Sequence, residues 1–394
     1  MTEVGRVTRR IVFYLPGFDP RGAMFYHHLY AAENAKQAAI NGLEIGTGKR
    51  QTVDEAEARW ELSTASTTTQ YRFLRYEDIV RRQWPKSAAA MYGGILRYAW
   101  HFSRMGVYRA IFRNSWPSFV AVIYPPLVLA GLLAAALLIG FLAALVLRPT
   151  LGEAAFLAVL PALALPFAAY RPMEKYLNAF WLARSCVFLV DRSLAAVPGI
   201  EDRCQLFARR LADAVNAADC DEVLLVGHSV GTHLAVTVAA RAIERIDEGR
   251  RFSLLTLGQA IAMTPDEPLA RVFRDDLLRI ALSPKVNWID VTSAIDGSCI
   301  ALSDPLDLSG VMRPSGSARQ PKLVSARFNK LFTPHTYAAM RRNFLHVHFQ
   351  YLMAAELAGD YDYFLITAGD KTLQARFAHL ESVTDFNRFR LGKT

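Results

Sequence analysis

The chain has 394 residues, enough for two or three average domains or for one large α/β domain with an insertion. Hydrophobic residues make up 52% of it and charged residues 21%, which excludes a disordered chain, a collagen-like repeat and a solenoid of polar repeats. Lysine and arginine outnumber aspartate and glutamate by 45 to 36. An excess of this size suggests a nucleic acid, an anionic membrane surface or an acidic substrate as partner.

The cysteines and the N-terminus indicate a reducing compartment. No two of the four cysteines form a C-x-x-C pair, so we expect reduced thiols. The first apolar run ends at Pro16-Gly17 after about eight residues and has no small-residue cleavage site, which predicts a strand rather than a signal peptide.

Hydrophobic periodicity predicts alternating strands and helices. In chain order we predict a strand at 10–16, a helix at 24–40, a hairpin pairing 42–50 with 58–66, a strand at 71–76, a helix at 198–218, a strand at 223–226, a helix at 235–246, a strand at 252–257, a helix at 269–282, and strands at 286–291 and 322–328. This order predicts an α/β fold with a mainly parallel sheet flanked by helices. The reactive groups of such a sheet lie at the C-terminal ends of its strands.

An apolar insertion separates the strand at 71–76 from the strand at 223–226. The run at 127–147 is long enough to cross a bilayer, at about 31 Å as a helix. A second uncharged run, 154–170, contains two prolines and is short for a span. Strands of one sheet lie on one side of a membrane, so the number of crossings between them must be even. Either the second run returns across the bilayer or the first does not cross it. We predict the former, a transmembrane helical hairpin with spans at about 119–147 and 154–170.

Basic residues cluster beside this hairpin. No acidic residue occurs between Asp78 and Glu153, and both flanks of the hairpin are basic, which places them on the cytoplasmic side; the flanking cations are Arg104, Arg109, Arg113, Arg171, Lys175 and Arg184. Residues 93–116 put basic and aromatic side chains at helical spacing, with Arg97, His101, Arg104 and Tyr108 on one face. An interfacial helix on anionic headgroups fits this pattern, and a soluble helix packing its aromatics on the core is the alternative. The basic residues adjoin no nucleic-acid-binding module, so we expect no nucleic acid partner.

The strongest chemical motif is Gly227-His228-Ser229-Val230-Gly231. It follows a buried apolar strand and precedes a helix with small residues near its start. In this context G-x-S-x-G predicts a sharp strand-to-helix turn that exposes the serine hydroxyl beside a helix N-terminus. We predict that Ser229 is a nucleophile.

With this motif the chain resembles the α/β-hydrolase superfamily over most of its length outside the insertion. The resemblance implies the chain order nucleophile, acid, base. Asp296, after the second strand beyond the motif, is the expected acid; Asp290, Asp304 and Asp307 remain alternatives. His335, the histidine in the loop after the last strand, is the expected base.

The oxyanion donors complete the predicted site, and the remaining histidines lie outside it. The resemblance implies that the backbone N–H groups of Val230 and Phe18 bind the oxyanion. His346 and His348 fall on a following predicted helix at 340–352, and we interpret both as core or surface packing residues; we also interpret His233 as structural.

No cofactor or metal site is predicted. Gly46-Thr47-Gly48-Lys49 lacks the earlier glycine and the Ser or Thr of a phosphate loop, and the sequence holds no metal-ligand cluster or dinucleotide fingerprint.

These observations predict three segments: residues 1–86 with the first strands, the oxyanion loop and the hairpin; 87–175 with the basic helix and the membrane hairpin; and 176–394 with the nucleophile, acid and base. The predicted function is a membrane-anchored serine hydrolase that cleaves ester substrates, lipid or acyl esters included, on the cytoplasmic side. The expected partners are the lipid bilayer and a hydrophobic ester. An acyltransferase with the same triad and an inactive hydrolase-like membrane scaffold are the alternatives.

Overall fold

A computed structural model describes residues 5–178, 180–263, 268–317 and 320–383. Within these ranges the protein is a mixed α/β structure built on one mostly parallel sheet of nine strands. The strands are β1 (Arg9–Leu15), β2 (Gly46–Thr47), β3 (Gln51–Thr52), β4 (Glu57–Ser63), β5 (Thr68–Leu74), β6 (Glu222–His228), β7 (Phe252–Leu257), β8 (Val286–Thr292) and β9 (Lys322–Ser325). Their order is β2-β4-β5-β1-β6-β7-β8-β9, with β3 paired to β4.

Helices cover both faces of the sheet. In chain order they are α1 (Gly22–Asn41), α2 (Glu77–Gln83), α3 (Ala88–Arg104), α4 (Val107–Asn114), α5 (Trp116–Leu151), α6 (Val159–Ala162), α7 (Leu165–Leu177), α8 (Trp181–Ser193), α9 (Ile200–Ala217), α10 (Val230–Ala242), α11 (Pro268–Leu282), α12 (Pro305–Leu308), α13 (Phe328–Leu331), α14 (Pro334–Met340), α15 (Phe344–Phe349), α16 (Tyr363–Ala368) and α17 (Leu373–Arg376), with 3-10 turns at Gly152–Ala158 and Gln350–Leu352.

The alternating apolar residues of the strands divide the core into two layers. Phe13 of β1 and Leu225 of β6 pack with α8, α9 and α10 on one face of the sheet. Tyr14 and Val226, one residue further along, pack with α1 and α16 on the other. Successive side chains of a strand point to opposite faces, so each inner strand serves both layers.

The predicted parallel strands are confirmed, with ends that differ by up to three residues. β1 pairs with both β5 and β6, so the strands before and after the insertion share one sheet. The predicted antiparallel hairpin is also present, with Gly46 of β2 opposite Ser63 of β4. The helix after Ser229 begins at Val230 rather than at residue 235, because it starts directly from the strand-to-helix turn.

The insertion contains one helix that is long and apolar enough to cross a membrane. Only 22% of the most apolar 18-residue stretch of this helix is buried in the protein, whereas a core helix would be mostly buried. The 3-10 turn Gly152–Ala158 and α6 pack back against α5. At the crossing a methyl group on Gly140 would lie 2.7 Å from Cα of Val159, so the two segments are in backbone contact.

The basic stretch before this helix differs from the prediction. Residues 93–116 do not form one helix, because Gly106, with φ at 71°, ends α3 and starts α4. The sequence allowed an interfacial helix or a soluble helix that packs its aromatic side chains on the core. Tyr98 and Phe102 are buried in the core, as the second predicts, whereas Trp100 is exposed, as the first predicts. Tyr98 Oη donates to the carbonyl of Val122 in α5 at 3.1 Å, which fixes the base of the apolar helix to the folded domain.

Candidate active site

Ser229 sits at a strained turn between β6 and α10. Its backbone has φ of 57° and ψ of −127°, a conformation that non-glycine residues rarely adopt. The turn is held because Ser229 N–H donates to the carbonyl of Leu257 at 2.9 Å. A Cβ on Gly231 would lie 2.3 Å from the carbonyl oxygen of Leu15, so only glycine fits there. This packing brings the serine to the carboxyl ends of β1 and β6.

The loop after β1 approaches the serine closely. A Cβ on Gly17 would lie 3.0 Å from Cβ of Ser229, so a side chain at this position would crowd the serine. Buried Tyr76 donates its hydroxyl to the carbonyl oxygens of Pro16 and Gly17, each at 2.7 Å. In a trans peptide the N–H points away from the C=O, so the N–H of Phe18 is directed away from Tyr76.

The two predicted oxyanion donors are therefore near the serine. Within the described residues, neither the N–H of Phe18 nor that of Val230 has a hydrogen-bond partner. Phe18 lines the same cavity as Ser229, and the N–H of Val230 belongs to the peptide group that follows the serine. Unpaired N–H groups at a helix N-terminus can stabilise a negative oxygen.

The structure brings Asp296 to His348. Nδ1 of His348 donates to Oδ2 of Asp296 at 2.8 Å, and the side chains are 2% and 0% exposed. Burial by itself raises the pKa of Asp296, but the adjacent His348 and its hydrogen bond outweigh burial and hold that pKa below its usual value. The N–H of Ser298 also donates to Asp296, at 3.0 Å. The carboxylate thus stays ionised and fixes the imidazole.

The structure does not bring His335 to Asp296, where the sequence prediction expected it. His335 is an exposed residue in the first turn of α14, where Thr333 caps the helix through the N–H of Thr336. His348, interpreted from sequence as a packing residue, takes the place beside Asp296. Thr333-Pro334 is a helix-start signal that the sequence already contained, since a capping Thr followed by Pro at the first helical position favours a new helix there.

A second helix-start signal lies at Asn343. Its side chain accepts the N–H of His346 and starts the short helix α15. The sequence prediction treated residues 340–352 as one helix, so it did not separate the element that carries His348. His346 is exposed on this helix.

The three alternative acids have other partners. Asp290 lies within β8, where Thr256 donates to its Oδ1 at 2.5 Å. Asp304 caps α12 and pairs with Arg313 at 2.8 Å. Asp307 pairs with the same arginine at 3.3 Å. Among the four candidates Asp296 is the one with a histidine contact in the described structure.

His228, the residue before the serine, is part of the same cluster. Its ring centroid is 4.9 Å from that of His348, and its Nε2 lies 2.8 Å from the backbone carbonyl of His348. Burial, followed by the proximity of His348, lowers the pKa of His228 to about 3. The ring is therefore neutral at physiological pH, and its Nε2 carries the hydrogen because the partner is a carbonyl oxygen.

Ser229 and His348 open onto a shared cavity of about 280 Å³. No hydrogen bond joins the two side chains within the described residues. Such bonds are often long in unliganded sites and tighten when substrate binds. The lining combines aromatic and charged side chains: Phe18, Asp19, Arg21, Trp84, Glu174, Trp181, Arg184 and Phe349. Part of it comes from the segment that follows the apolar insertion.

The apolar helix also contacts the loop of Asp296. Ser118 Oγ, in the first turn of α5, donates to the carbonyl of Cys299 at 2.6 Å. A methyl group on Gly297 would lie 3.7 Å from the carbonyl oxygen of Pro117 and 3.9 Å from Cβ of Ala121. The base of α5 is thus part of the support of the candidate site.

No group of three or more His, Cys, Asp or Glu side chains in the described ranges is arranged to hold a metal ion. Comparison of the chain with protein families, with curated proteins and with solved structures finds no match.

Proposed function

We propose that the protein is a membrane-anchored serine hydrolase of the α/β-hydrolase type that cleaves carboxylic esters. The observation that carries this proposal is the buried His348–Asp296 pair, at 2.8 Å, beside the strained serine turn and opening onto the same cavity. A histidine held by a carboxylate next to a serine hydroxyl is the arrangement that serine nucleophiles require.

In the proposed reaction Oγ of Ser229 attacks the ester carbonyl while Nε2 of His348 takes the hydroxyl proton. Asp296 keeps the hydrogen of His348 on Nδ1, so Nε2 is free to act as the base. The N–H groups of Phe18 and Val230 bind the negative oxygen of the tetrahedral intermediate. His348 then protonates the leaving alcohol, and an acyl group remains on the serine.

Hydrolysis of this acyl-enzyme completes the cycle. Water attacks the acyl carbonyl and His348 accepts its proton; the carboxylic acid leaves and the serine regains its hydrogen. The low pKa of Asp296 supports this role, because an ionised carboxylate stabilises the imidazolium that forms twice per turnover.

We further propose that α5 and the segment that packs back against it cross the bilayer as a hairpin, with the hydrolase domain on the cytoplasmic side. Two facts support this. β5 and β6 belong to one sheet, so any crossings between them must be even in number. Large apolar side chains on both segments are exposed, including Ile139, Phe141, Leu157 and Leu160.

A fluorophosphonate probe tests the proposed chemistry on the full chain in detergent. We expect labelling of the wild type and none of Ser229→Ala, because the probe reacts with an activated serine. We also expect His348→Asn to lose labelling and ester hydrolysis by at least about a thousandfold, the size of effect seen when a triad residue is removed.

The matched control is His335→Asn, which removes the histidine predicted from sequence. His335 is exposed and makes no hydrogen bond to Asp296 within the described residues, so the activity of this variant should stay within about twofold of wild type. Loss of activity in His335→Asn with retention in His348→Asn would reverse the assignment. Absence of labelling in the folded wild type would instead favour the inactive scaffold.

A further inference from the structure

Two arginines line the cavity that contains Ser229. Arg21 follows β1, and Arg184 lies on α8, just after the apolar insertion. Each is held by a carboxylate: Arg21 by Asp19 at 2.6 Å and Arg184 by Glu174. The four charges balance, so the cavity is lined by a fixed and electrically neutral cluster.

Arg184 has an unused donor although it is almost completely buried. Its side chain is 6% exposed, and its guanidinium lies 4.7 Å from the ring centroid of Trp84. Nη1 contacts Glu174 and Nη2 lies 3.4 Å from the hydroxyl of Tyr170. Nε is buried and has no hydrogen-bond partner in the described part of the chain. A buried N–H without an acceptor costs free energy unless a ligand supplies one.

Arg21 also keeps free donors. Its Nε and Nη2 donate to Asp19, and its Nη1 has no hydrogen-bond partner within the described residues. The guanidinium is stacked 3.8 Å from the ring centroid of Phe25 and 4.8 Å from that of Phe349. Stacking and the carboxylate contact fix its orientation, so little entropy is lost when a further acceptor binds.

We propose that Arg21 and Arg184 bind an anionic oxygen group, a phosphate or a carboxylate, on the ester substrate. This inference rests on the proposed hydrolase function. Guanidinium donors bind anionic oxygens more strongly than neutral ones, and a planar fork suits phosphate and carboxylate.

Such an ester has two sources. Glu174 lies on α7, which continues the apolar segment, so the arginine cluster is close in the chain to the proposed headgroup side of the bilayer. One source is therefore a phospholipid with an ester-linked chain, and the other is a soluble anionic ester.

Two matched substrate pairs test the proposal with the full chain in detergent. The soluble pair is monobutyrylglycerol and its 3-phosphate; the lipid pair is monooleoylglycerol and its 3-phosphate. We expect kcat/KM to be at least about tenfold higher for the phosphate in one pair or both, mainly through KM. A phosphate preference in the lipid pair alone assigns a lipid source. A phosphate preference in the soluble pair shows that the cavity recognises the phosphate without a long acyl chain.

Variants locate the preference. Arg184→Lys keeps the charge but loses the fork, and the double variant Arg184→Gln/Glu174→Gln removes both charges without leaving one unpaired. Each should reduce the phosphate-to-neutral ratio of kcat/KM by at least about fivefold, and Arg21→Gln should do the same. Arg97→Gln, which breaks an arginine–carboxylate pair with Asp191 outside the cavity, is the control and should leave the ratio unchanged.

Equal kcat/KM for the phosphate and neutral members of both pairs would overturn the inference. So would a wild-type phosphate preference that survives in all three cavity variants. Fluorophosphonate labelling of the same preparations separates this failure from failure of the proposed function, because labelling reports Ser229 without requiring an anionic group.

Discussion

Nε2 of His228 donates to the backbone carbonyl of His348 at 2.8 Å, so the residue before Ser229 anchors the histidine that is hydrogen-bonded to Asp296. The two lie 120 positions apart in the chain, on β6 and α15. This bond ties the short helix that carries the proposed base to the strand that carries the proposed nucleophile. His228 is thus a positioning residue in the proposed mechanism.

We expect His228→Phe to lower kcat for ester hydrolysis by about tenfold or more, because the donor to His348 is lost and the base is no longer held in register. His228→Gln retains a donor of similar reach and should recover most of the rate. The measurement is kcat at saturating ester for both variants. If Phe and Gln behave alike, the hydrogen bond is not what positions His348.

The same residue predicts a pH dependence of stability. The pKa of His228 is about 3 in the folded chain, because burial disfavours its charged form, and about 6.5 when unfolded. Between these values the unfolded chain binds the additional proton, so stability falls as the pH is lowered through 6.5. At pH 5 the loss relative to pH 8 is about 2 kcal/mol from this residue.

Thermal unfolding of His228→Gln in detergent tests this linkage. The fall in unfolding temperature between pH 8 and pH 5 should be smaller in the variant than in the wild type. His233, whose pKa is also lowered by burial, remains in both proteins and contributes equally. Identical pH dependence in the two proteins would contradict the prediction.

Asp290 should contribute a pH dependence of stability with the opposite sign to that of His228. Burial raises its pKa to about 7, and its Oδ2 has no hydrogen-bond partner among the described residues. Since the folded chain then binds the additional proton between pH 3.8 and 7, stability falls as pH rises through this window. We expect Asp290→Asn to be more stable than the wild type at pH 8, by on the order of 1–4 kcal/mol. Chemical unfolding at pH 5 and pH 8 measures the difference, which should shrink at pH 5.

Gly258 is the glycine that leaves space for the Asp296–His348 pair. Its φ is 53°, and a Cβ there would lie 3.2 Å from Oδ2 of Asp296, 3.3 Å from Cε1 of His348 and 2.8 Å from Cε2 of Tyr351. Gly258→Ala should reduce kcat by at least about tenfold, because the pair must shift. It should also destabilise the fold by more than the roughly 1–2 kcal/mol cost of a left-handed alanine.

The matched control is Gly310→Ala. Gly310 has φ of 70°, and a methyl group there would meet nothing within 4 Å, so the substitution carries the backbone cost alone. Its kcat should equal that of the wild type. An equal loss of activity in both variants would show that backbone strain, rather than contact with the pair, is responsible.

Two glycines of α5 test the packing of the apolar segments. Gly140 is in contact with Val159 and Ala162, whereas Gly131 has open space around it. Gly140→Leu should separate the segments and lower the unfolding temperature in detergent by several degrees, as expected for overpacking of about 1–3 kcal/mol. Gly131→Leu should change it little. Equal effects would mean that the packing at Gly140 does not contribute to stability.

The sequence determined the sheet and the position of the serine. Strand 252–257 matches β7 in both ends, and the glycines flanking Ser229 predicted the turn that the structure contains. These features are local: alternation of apolar residues and the space that a turn leaves for a side chain depend on neighbours in the chain. For the same reason the sequence alone predicted that α5 contains an apolar run long enough to cross a bilayer.

The partner of Asp296 was decided by tertiary structure. His335 and His348 both follow β9, and chain order alone favoured the nearer one. Two short helices begin at their own caps, Thr333 and Asn343. The first exposes His335 to solvent, and the second brings His348 within hydrogen-bond distance of Asp296. A hydrogen bond between residues 52 positions apart depends on how these helices pack, and no local pattern encodes that distance.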